Sequence, residues 1–224
     1  APGVQLSPKT DPTQFWFSSG AVTGRSDPAS ACPNLLALHE TLLGRRTSEL
    51  VGAGDPGADP RVALTWTGIR GDSGMGFPGY YLFLRGESHR RLCASEPEYR
   101  TALTSRRILR APLRDTLSKG RFFQSSSFAL DQRGVLPPFM PMFRSQDMLF
   151  GVAHRLIEPP GCFGYLSWTV DHQPLEQRSW RPTDLAHGFS GTSLAILLRR
   201  SLESWRPKPS EVTADDRLAG LGNF

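Results

Sequence analysis

Residues 136–151 read LPPFMPMFRSQDMLFG, and this stretch decides the fold because it joins an extended segment directly to a helix. Three prolines within five residues keep the first part extended, since the residue before a proline is driven out of the helical region. Ser145 is the predicted N-cap, and apolar residues then recur at helical spacing as far as Ile157. A strand, GYLSWTV, is predicted at 164–170.

The rest of the chain continues this mixture of elements around a Gly-rich loop, GIRGDSGMGFPG, predicted at 68–79. Further helices are predicted at 34–48, 97–110 and 194–205, and further strands at 15–17, 62–66 and 80–84. The elements follow no regular βαβ rhythm, so the sequence predicts an α/β or α+β fold with a mixed sheet flanked by helices. It predicts one globular domain over 1–206, a polar tail or linker over 207–224, and a longer parent chain.

Several protein classes are excluded by composition. No apolar run approaches the ~20 residues of a membrane helix, so no transmembrane segment is expected. The net charge is +5, but acidic residues are interleaved with the arginines and no nucleic-acid motif occurs, so no nucleic-acid partner is expected. Cys32, Cys93 and Cys162 are widely spaced, which is typical of reduced thiols in a cytoplasmic protein rather than of disulfides or structural zinc.

Asp147 is the first candidate catalytic residue. It lies in the first turn of the predicted helix, where backbone N–H groups are unpaired and the helix dipole favours negative charge. An ionised carboxylate at a fixed point is what a general base requires. Arg144, just before it, could bind an anion or orient the carboxylate. The alternative is an aspartate that only stabilises the start of the helix.

Two further segments carry candidate residues. Asp72 lies within the Gly-rich loop, which either forms a simple turn between strands or brings its backbone close to a ligand. His172 follows Asp171 at the end of the strand predicted at 164–170, and a strand end is a good position for a metal ligand. The alternative for His172 is a purely structural role.

A longer motif connects these features to a known family. Residues 137–139 (PPF), 144–147 (RSQD) and 150–151 (FG) together resemble the later part of a GT-A glycosyltransferase of the family-2 type. In that family an acidic residue at this helix start deprotonates the acceptor hydroxyl. The resemblance assigns this role to Asp147, with Gln146 where an acidic residue often stands. A downstream histidine can complete the metal site in that family, and His172 is the candidate here.

The resemblance implies transfer of a sugar from a nucleotide-sugar donor to a hydroxyl-bearing acceptor, with a divalent cation, Mn²⁺ or Mg²⁺. Arg144 would orient Asp147 or steady a phosphate. The substrate-binding residues would be Asp72, Trp66, Phe139, Gln146 and Trp168, with the aromatic rings stacking on sugars. The alternative for each of the three aromatic rings is packing in the core. The family's donor half ends in a D-x-D metal motif. This chain has none, so a donor-binding region is expected upstream of Ala1.

Two other functions are compatible with the same residues. The first is a non-catalytic carbohydrate- or protein-binding domain, in which the Pro-rich segment and the tryptophans form a binding face. It predicts no metal dependence and no effect of Asp147→Asn beyond stability. The second is a metal-assisted hydrolase with Asp72, Asp147 and His172 on one ion, which requires these three side chains to converge within a few ångströms.

Overall fold

The computed structural model describes residues 4–7, 14–16, 34–52, 59–74, 86–119, 124–141, 145–158, 161–176, 178–181, 183–184, 186 and 194–224. Within them, the strands are β1 (Gln5–Ser7), β2 (Gln14–Trp16), β3 (Val62–Asp72), β4 (Arg107–Ala111), β5 (Thr116–Ser118), β6 (Phe128–Leu130) and β7 (Cys162–His172). The helices are α1 (Leu35–Glu40), α2 (Thr47–Val51), α3 (Gly86–Leu92), α4 (Glu96–Thr104), α5 (Gln146–Ile157), α6 (Leu194–Ser204) and α7 (Ala214–Gly222).

The strands form one mixed sheet. Its order is β1-β5-β7-β3-β4-β2, and β6 pairs with β3 beside the segment that β4 occupies. β3 and β7 run parallel in the middle of the sheet, β1 and β5 are also parallel, and the other pairs are antiparallel. Helices flank this sheet, which confirms the predicted α/β fold with a mixed sheet.

β3 is longer than the strand predicted at 62–66. The predicted loop at 68–79 is wrong over its first five residues, because the strand continues to Asp72. Glycines allow this: a side chain at Gly68 would collide with the Arg110 carbonyl of β4, and Gly71 has a φ of +91°. The end of the predicted loop and the strand predicted at 80–84 lie outside the described residues.

Two predicted helices are shorter than expected. The helix predicted at 34–48 is split into α1 and α2 by a turn at Gly44, whose φ is +71°. The helix predicted at 97–110 ends at Thr104, and β4 follows at once. In β4, Ile108 and Arg110 are buried whereas Arg107 is exposed, and this period of two is that of a strand. The helical interpretation of this segment was therefore wrong.

Side chains of β3 leave the sheet on alternate faces and pack under different helices. Leu64 and Trp66 form a buried cluster with Phe150 of α5. The hydroxyl of Thr65 points the other way and lies 2.8 Å from Nδ1 of buried His39 in α1. Because both faces of β3 are covered, the strand is buried almost along its whole length, as is typical of a central parallel strand.

The polar residues at 207–224 contain a capped helix, α7. The side chain of Thr213 accepts from the Asp216 N–H, and the Asp216 carboxylate accepts from the Thr213 N–H. Arg217 donates to the Ile157 carbonyl at 3.4 Å, which connects α7 to the end of α5. Among the helices that the structure describes, none has both the length and the apolar character that crossing a membrane requires.

His154 is a buried titratable group on α5. Its ring packs between the rings of Phe150 and Phe163, and in the described structure its Nδ1 has no hydrogen-bond partner. Burial, helped by the positive charge of Arg155, lowers the pKa of His154 from 6.5 to about 4. The folded protein therefore holds this imidazole neutral at pH values where the unfolded chain protonates it.

Stability should accordingly decrease as the pH falls from about 6.5 towards 4, because over this range the unfolded chain binds more protons than the folded one. The shift corresponds to about 3 kcal/mol of unfolding free energy, all of it lost below the folded pKa. Urea unfolding at pH 7.5 and pH 4.5 measures the loss, and His154→Leu is expected to remove most of it. Burial also lowers the pKa of His39, so His39 adds to the loss of stability at low pH equally in the unsubstituted protein and in His154→Leu. An unchanged pH slope in His154→Leu would contradict this assignment.

Candidate functional site

The carboxyl ends of β3 and β7 carry a polar cluster that we call the strand-end site. Parallel strands bring their carboxyl ends to the same edge of the sheet, and Gly71 and His172 are register partners there. The strand-end site consists of Asp72, Arg106, Gln124, Asp147, His172 and Arg178. Sequence analysis predicted three of these residues, and the structure connects them through hydrogen bonds.

Asp72 is the buried anchor of the strand-end site, with only 5% of its surface exposed. Its carboxylate accepts from Arg106 Nε at 3.0 Å, from Arg178 Nη2 at 2.8 Å and from the Gly74 N–H at 2.7 Å. Burial alone would raise the pKa of Asp72, but these hydrogen bonds and the two guanidinium charges hold it below its usual range. Asp72 is therefore a charged positioning group whose oxygens are occupied by the protein.

His172 is fixed in a defined tautomer. Its Nδ1 lies 2.8 Å from the Asp72 main-chain carbonyl oxygen. Because a carbonyl oxygen only accepts, Nδ1 carries the proton, and in the neutral ring the lone pair is on Nε2. A carbonyl partner on one ring nitrogen is the usual surrounding of a histidine that binds a metal through the other. His172 Nε2 can thus bind a cation or accept a hydrogen bond from a ligand.

Asp147 lies half-buried in the first turn of α5. Its Oδ2 accepts from the Ser125 N–H at 3.2 Å, and its Oδ1 accepts from the Met148 N–H at 2.9 Å. Gln124, next to Ser125, donates through Nε2 to the Ser73 carbonyl at 2.8 Å. The turn at 124–125 therefore connects the start of α5 with the end of β3. This arrangement orients the Asp147 carboxylate.

The backbone just before Asp147 is strained. Ser145 begins α5 as predicted, but its φ is +75° and its side chain makes no capping hydrogen bond. The predicted capping role of Ser145 is therefore wrong, and Asp147 takes it over by binding the Met148 N–H. A left-handed non-glycine residue costs about 1–3 kcal/mol, and such strain recurs at ligand sites. Gln146 is exposed in the same turn, and Arg144 lies outside the described residues.

The three candidate aromatic residues have different positions. Trp66 is fully buried and packs edge-on against Tyr165, so its predicted stacking on a sugar is wrong. Phe139 is 37% exposed and stacks with one ring face on Phe150 at 4.1 Å. Trp168 is 44% exposed, at an irregularity in the pairing of β7 with β3. Phe139 and Trp168 therefore remain available for a ligand.

Candidate cation ligands are few at the strand-end site. In the described part of the chain, no three His, Cys, Asp or Glu side chains form a group that could hold a metal ion. Asp72 directs its oxygens at two guanidinium groups, which is not the surrounding of a metal ligand. Of Asp72, Asp147 and His172, only His172 presents a donor atom in a metal-ligand geometry. The structure thus does not place Asp72 where the hydrolase hypothesis requires it.

Three members of the strand-end site were missed by sequence reasoning: Arg106, Gln124 and Arg178. Arginines occur throughout the chain, and no local pattern shows which of them contact Asp72. Only the structure distinguishes Arg106, because the buried ring of Trp180 lies 4.2 Å from its guanidinium. Gln124 lies within a polar and aromatic stretch, 121–130, that contains no recognisable motif, and its contact with Ser73 spans 51 residues.

A cavity of about 580 Å³ lies elsewhere, between the end of α6 and α7. Its lining includes Trp205, Arg206 and Lys208, but none of the predicted site residues. Arg206 donates to the Glu203 and Trp205 carbonyls, so its guanidinium has a structural role. Three of the predicted functional residues, Asp72, Asp147 and His172, belong to the strand-end site, and none lines this cavity.

Comparison with known proteins gives no match: no protein-family model, no curated protein and no solved structure matches the chain. The resemblance of residues 137–151 to glycosyltransferases therefore stays a prediction from the sequence.

Proposed function

We propose that the chain is the acceptor-side part of a glycosyltransferase that moves a sugar from a nucleotide-sugar to a hydroxyl-bearing acceptor. The observation that supports this proposal is the placement of Asp147. Its carboxylate is oriented by two backbone N–H groups, is partly exposed, and is connected through the turn at 124–125 to the strand end that holds His172. The candidate base and the candidate cation ligand are therefore linked through the turn at 124–125 and the end of β3.

Asp147 acts as the general base in this proposal. Its carboxylate takes the proton from the acceptor hydroxyl while the hydroxyl oxygen attacks the anomeric carbon of the donor sugar. The bond between that carbon and the nucleoside diphosphate breaks, and the leaving group departs with the bonding electrons. The N–H groups of Ser125 and Met148 hold the carboxylate in place, which lowers the entropic cost of reaching the reactive geometry.

A divalent cation, Mn²⁺ or Mg²⁺, belongs to the proposal. When bound, it would neutralise the charge of the diphosphate leaving group. His172 would hold it through Nε2, because Nδ1 is engaged by the Asp72 carbonyl. Arg144, if it follows the family pattern, steadies the same phosphate or Asp147.

Exposed side chains bind the acceptor in this proposal. Phe139 and Trp168 offer aromatic faces on which sugar rings can stack, and Gln146 offers an exposed amide. Asp72 acts indirectly, by holding Arg178 and His172. The reaction takes place in the cytoplasm, which the free thiols of Cys93 and Cys162 support.

A non-catalytic carbohydrate- or protein-binding domain is the second candidate. The observation that favours it is the exposure of Trp168 and Phe139, since exposed aromatic rings are typical of carbohydrate-binding faces. In this case Asp147 only caps α5, and no bond in the ligand is broken.

The test is a turnover assay on the natural full-length protein. Release of UDP or GDP is measured for a panel of nucleotide-sugars with Mn²⁺ or Mg²⁺ and a mixture of hydroxyl-bearing acceptors. We expect metal-dependent release that an acceptor accelerates, and a large loss with His172→Ala. Glycan binding that depends on Trp168, without release from any donor, would contradict catalysis and favour the binding domain.

A further inference from the structure

Two guanidinium groups converge on one carboxylate at the strand-end site. Arg106 contacts Asp72 through Nε at 3.0 Å and Nη2 at 3.4 Å. Arg178 contacts the same carboxylate through Nε at 3.1 Å and Nη2 at 2.8 Å. The three side chains together carry one excess positive charge, although Asp72 needs only one arginine for neutrality.

The two arginines have different surroundings. The side chain of Arg106 is 10% exposed, and its guanidinium is covered by the ring of Trp180. The side chain of Arg178 is 43% exposed. A half-exposed ion pair adds little stability to a fold. Arg106 is therefore the structural partner of Asp72, and stability alone does not account for Arg178.

The guanidinium of Arg178 has an outer edge that Asp72 does not occupy. A guanidinium has five N–H donors, and the edge formed by Nε and Nη2 is occupied by Asp72. Within the described residues no hydrogen bond involves Nη1, so the outer edge with Nη1 is left for solvent or a ligand. The planar outer edge matches the spacing of two phosphate oxygens.

Arg178 is held at the same strand end as the other functional groups. The segment that carries it crosses the end of α4, where Ser179 pairs with Ser105 and the Trp180 N–H donates to the Thr104 carbonyl. Asp72 binds Arg178 through its carboxylate and His172 through its main-chain carbonyl. Arg178 and His172 are therefore both attached to Asp72, the last residue of β3.

We propose that Arg178 binds a phosphate group of the substrate, in a subsite that Asp72 pre-orients at the carboxyl ends of β3 and β7. The identity of the substrate rests on the proposed function, whereas the phosphate chemistry does not. The phosphate belongs either to the nucleoside diphosphate of the donor or to a phosphorylated acceptor. Both sources offer the same oxygens to the outer edge of the guanidinium.

The test is calorimetric titration of the natural full-length protein with inorganic pyrophosphate, UDP and glucose 6-phosphate at fixed low salt. Arg178→Gln is expected to weaken binding of the responsive probe about 10- to 100-fold. Arg181→Gln is the matched control, because it removes an equal charge from an exposed side chain three residues away, and it should change binding less than about 2-fold. Arg178→Lys keeps the positive charge but not the planar guanidinium, so it should restore only part of the affinity that Arg178→Gln loses.

The outcomes separate the sources and the two proposals. Arg178-dependent binding of pyrophosphate and UDP assigns the phosphate to the donor, and binding of glucose 6-phosphate assigns it to the acceptor. No binding of any probe, equal losses in Arg178→Gln and Arg181→Gln, or full recovery with lysine would overturn the subsite. Arg178-dependent binding without sugar transfer would retain the subsite and reject the transferase. Sugar transfer at an unchanged rate in Arg178→Gln would retain the transferase and reject the subsite.

Discussion

Asp147→Asn is expected to lower the rate of sugar transfer by about 10²- to 10⁴-fold, because the amide cannot accept the acceptor's proton. Asparagine keeps the size of aspartate and one oxygen for the Ser125 or Met148 N–H. Its fold should therefore be retained, at a cost of about 1 kcal/mol from the lost charge at the start of α5. Steady-state transfer rates and urea unfolding of both proteins measure the two effects.

Asp215→Asn is the matched control for this experiment. Asp215 occupies the same second position of α7 that Asp147 occupies in α5, and it is exposed. Both substitutions remove one carboxylate from the first turn of a helix. Only Asp147→Asn should reduce transfer, and the loss should appear in kcat with little change in donor KM. A normal rate in Asp147→Asn, with stability reduced as in the control, would show that Asp147 only caps its helix.

Arg106→Met is expected to reduce the free energy of unfolding by about 1.5–3 kcal/mol, because it removes the covered hydrogen-bonding partner of the buried Asp72 carboxylate. Arg178 stays on Asp72, but its half-exposed guanidinium cannot replace a cation enclosed by Trp180. Urea unfolding at pH 7.5 measures the loss. Arg106→Lys keeps the positive charge but not the planar guanidinium. Its free energy of unfolding should lie between those of the unsubstituted protein and Arg106→Met, and it can be measured even if Arg106→Met does not fold.

An exposed ion pair provides the comparison. Arg46 lies 3.6 Å from Asp59 with about half of its side chain exposed, so Arg46→Met should cost less than about 1 kcal/mol. The double variant Asp72→Asn/Arg106→Met should lose less than the sum of its single variants, since both substitutions disrupt the same ion pair. Equal small losses in Arg46→Met and Arg106→Met would mean that burial does not strengthen the Asp72 pair.

The parts of the fold that local patterns specify were predicted correctly. α5 and β7 have long apolar patterns of helix and strand period, and both were found close to their predicted positions. β4 was missed, because its five residues are too short for a period of two to outweigh a helical pattern next to it. The extension of β3 was missed because glycines usually indicate turns. Here the glycines allow close contact with neighbouring strands, which only the tertiary structure reveals.

The candidate site was predicted only in its sequence-local parts. Asp147 and His172 could be found because a helix start and a strand end are visible in sequence. Trp66 could not be distinguished from a surface tryptophan, because its burial depends on α5 and β7 packing over it. Arg106 and Arg178 acquire their roles by meeting Asp72 across 34 and 106 residues.

Those long separations have a kinetic consequence. The hydrogen bond between His172 and Asp72 closes a loop of 100 residues, and it depends on the parallel pairing of β3 with β7. Closing such a loop loses more chain entropy than forming a local contact, so pairings of this kind form late in folding. On the ribosome, Asp72 emerges long before His172 and Arg178 are synthesised. The strand-end site is thus completed in a late step of biosynthesis, and a nascent chain that stops before residue 172 carries the Asp72 carboxylate without the site.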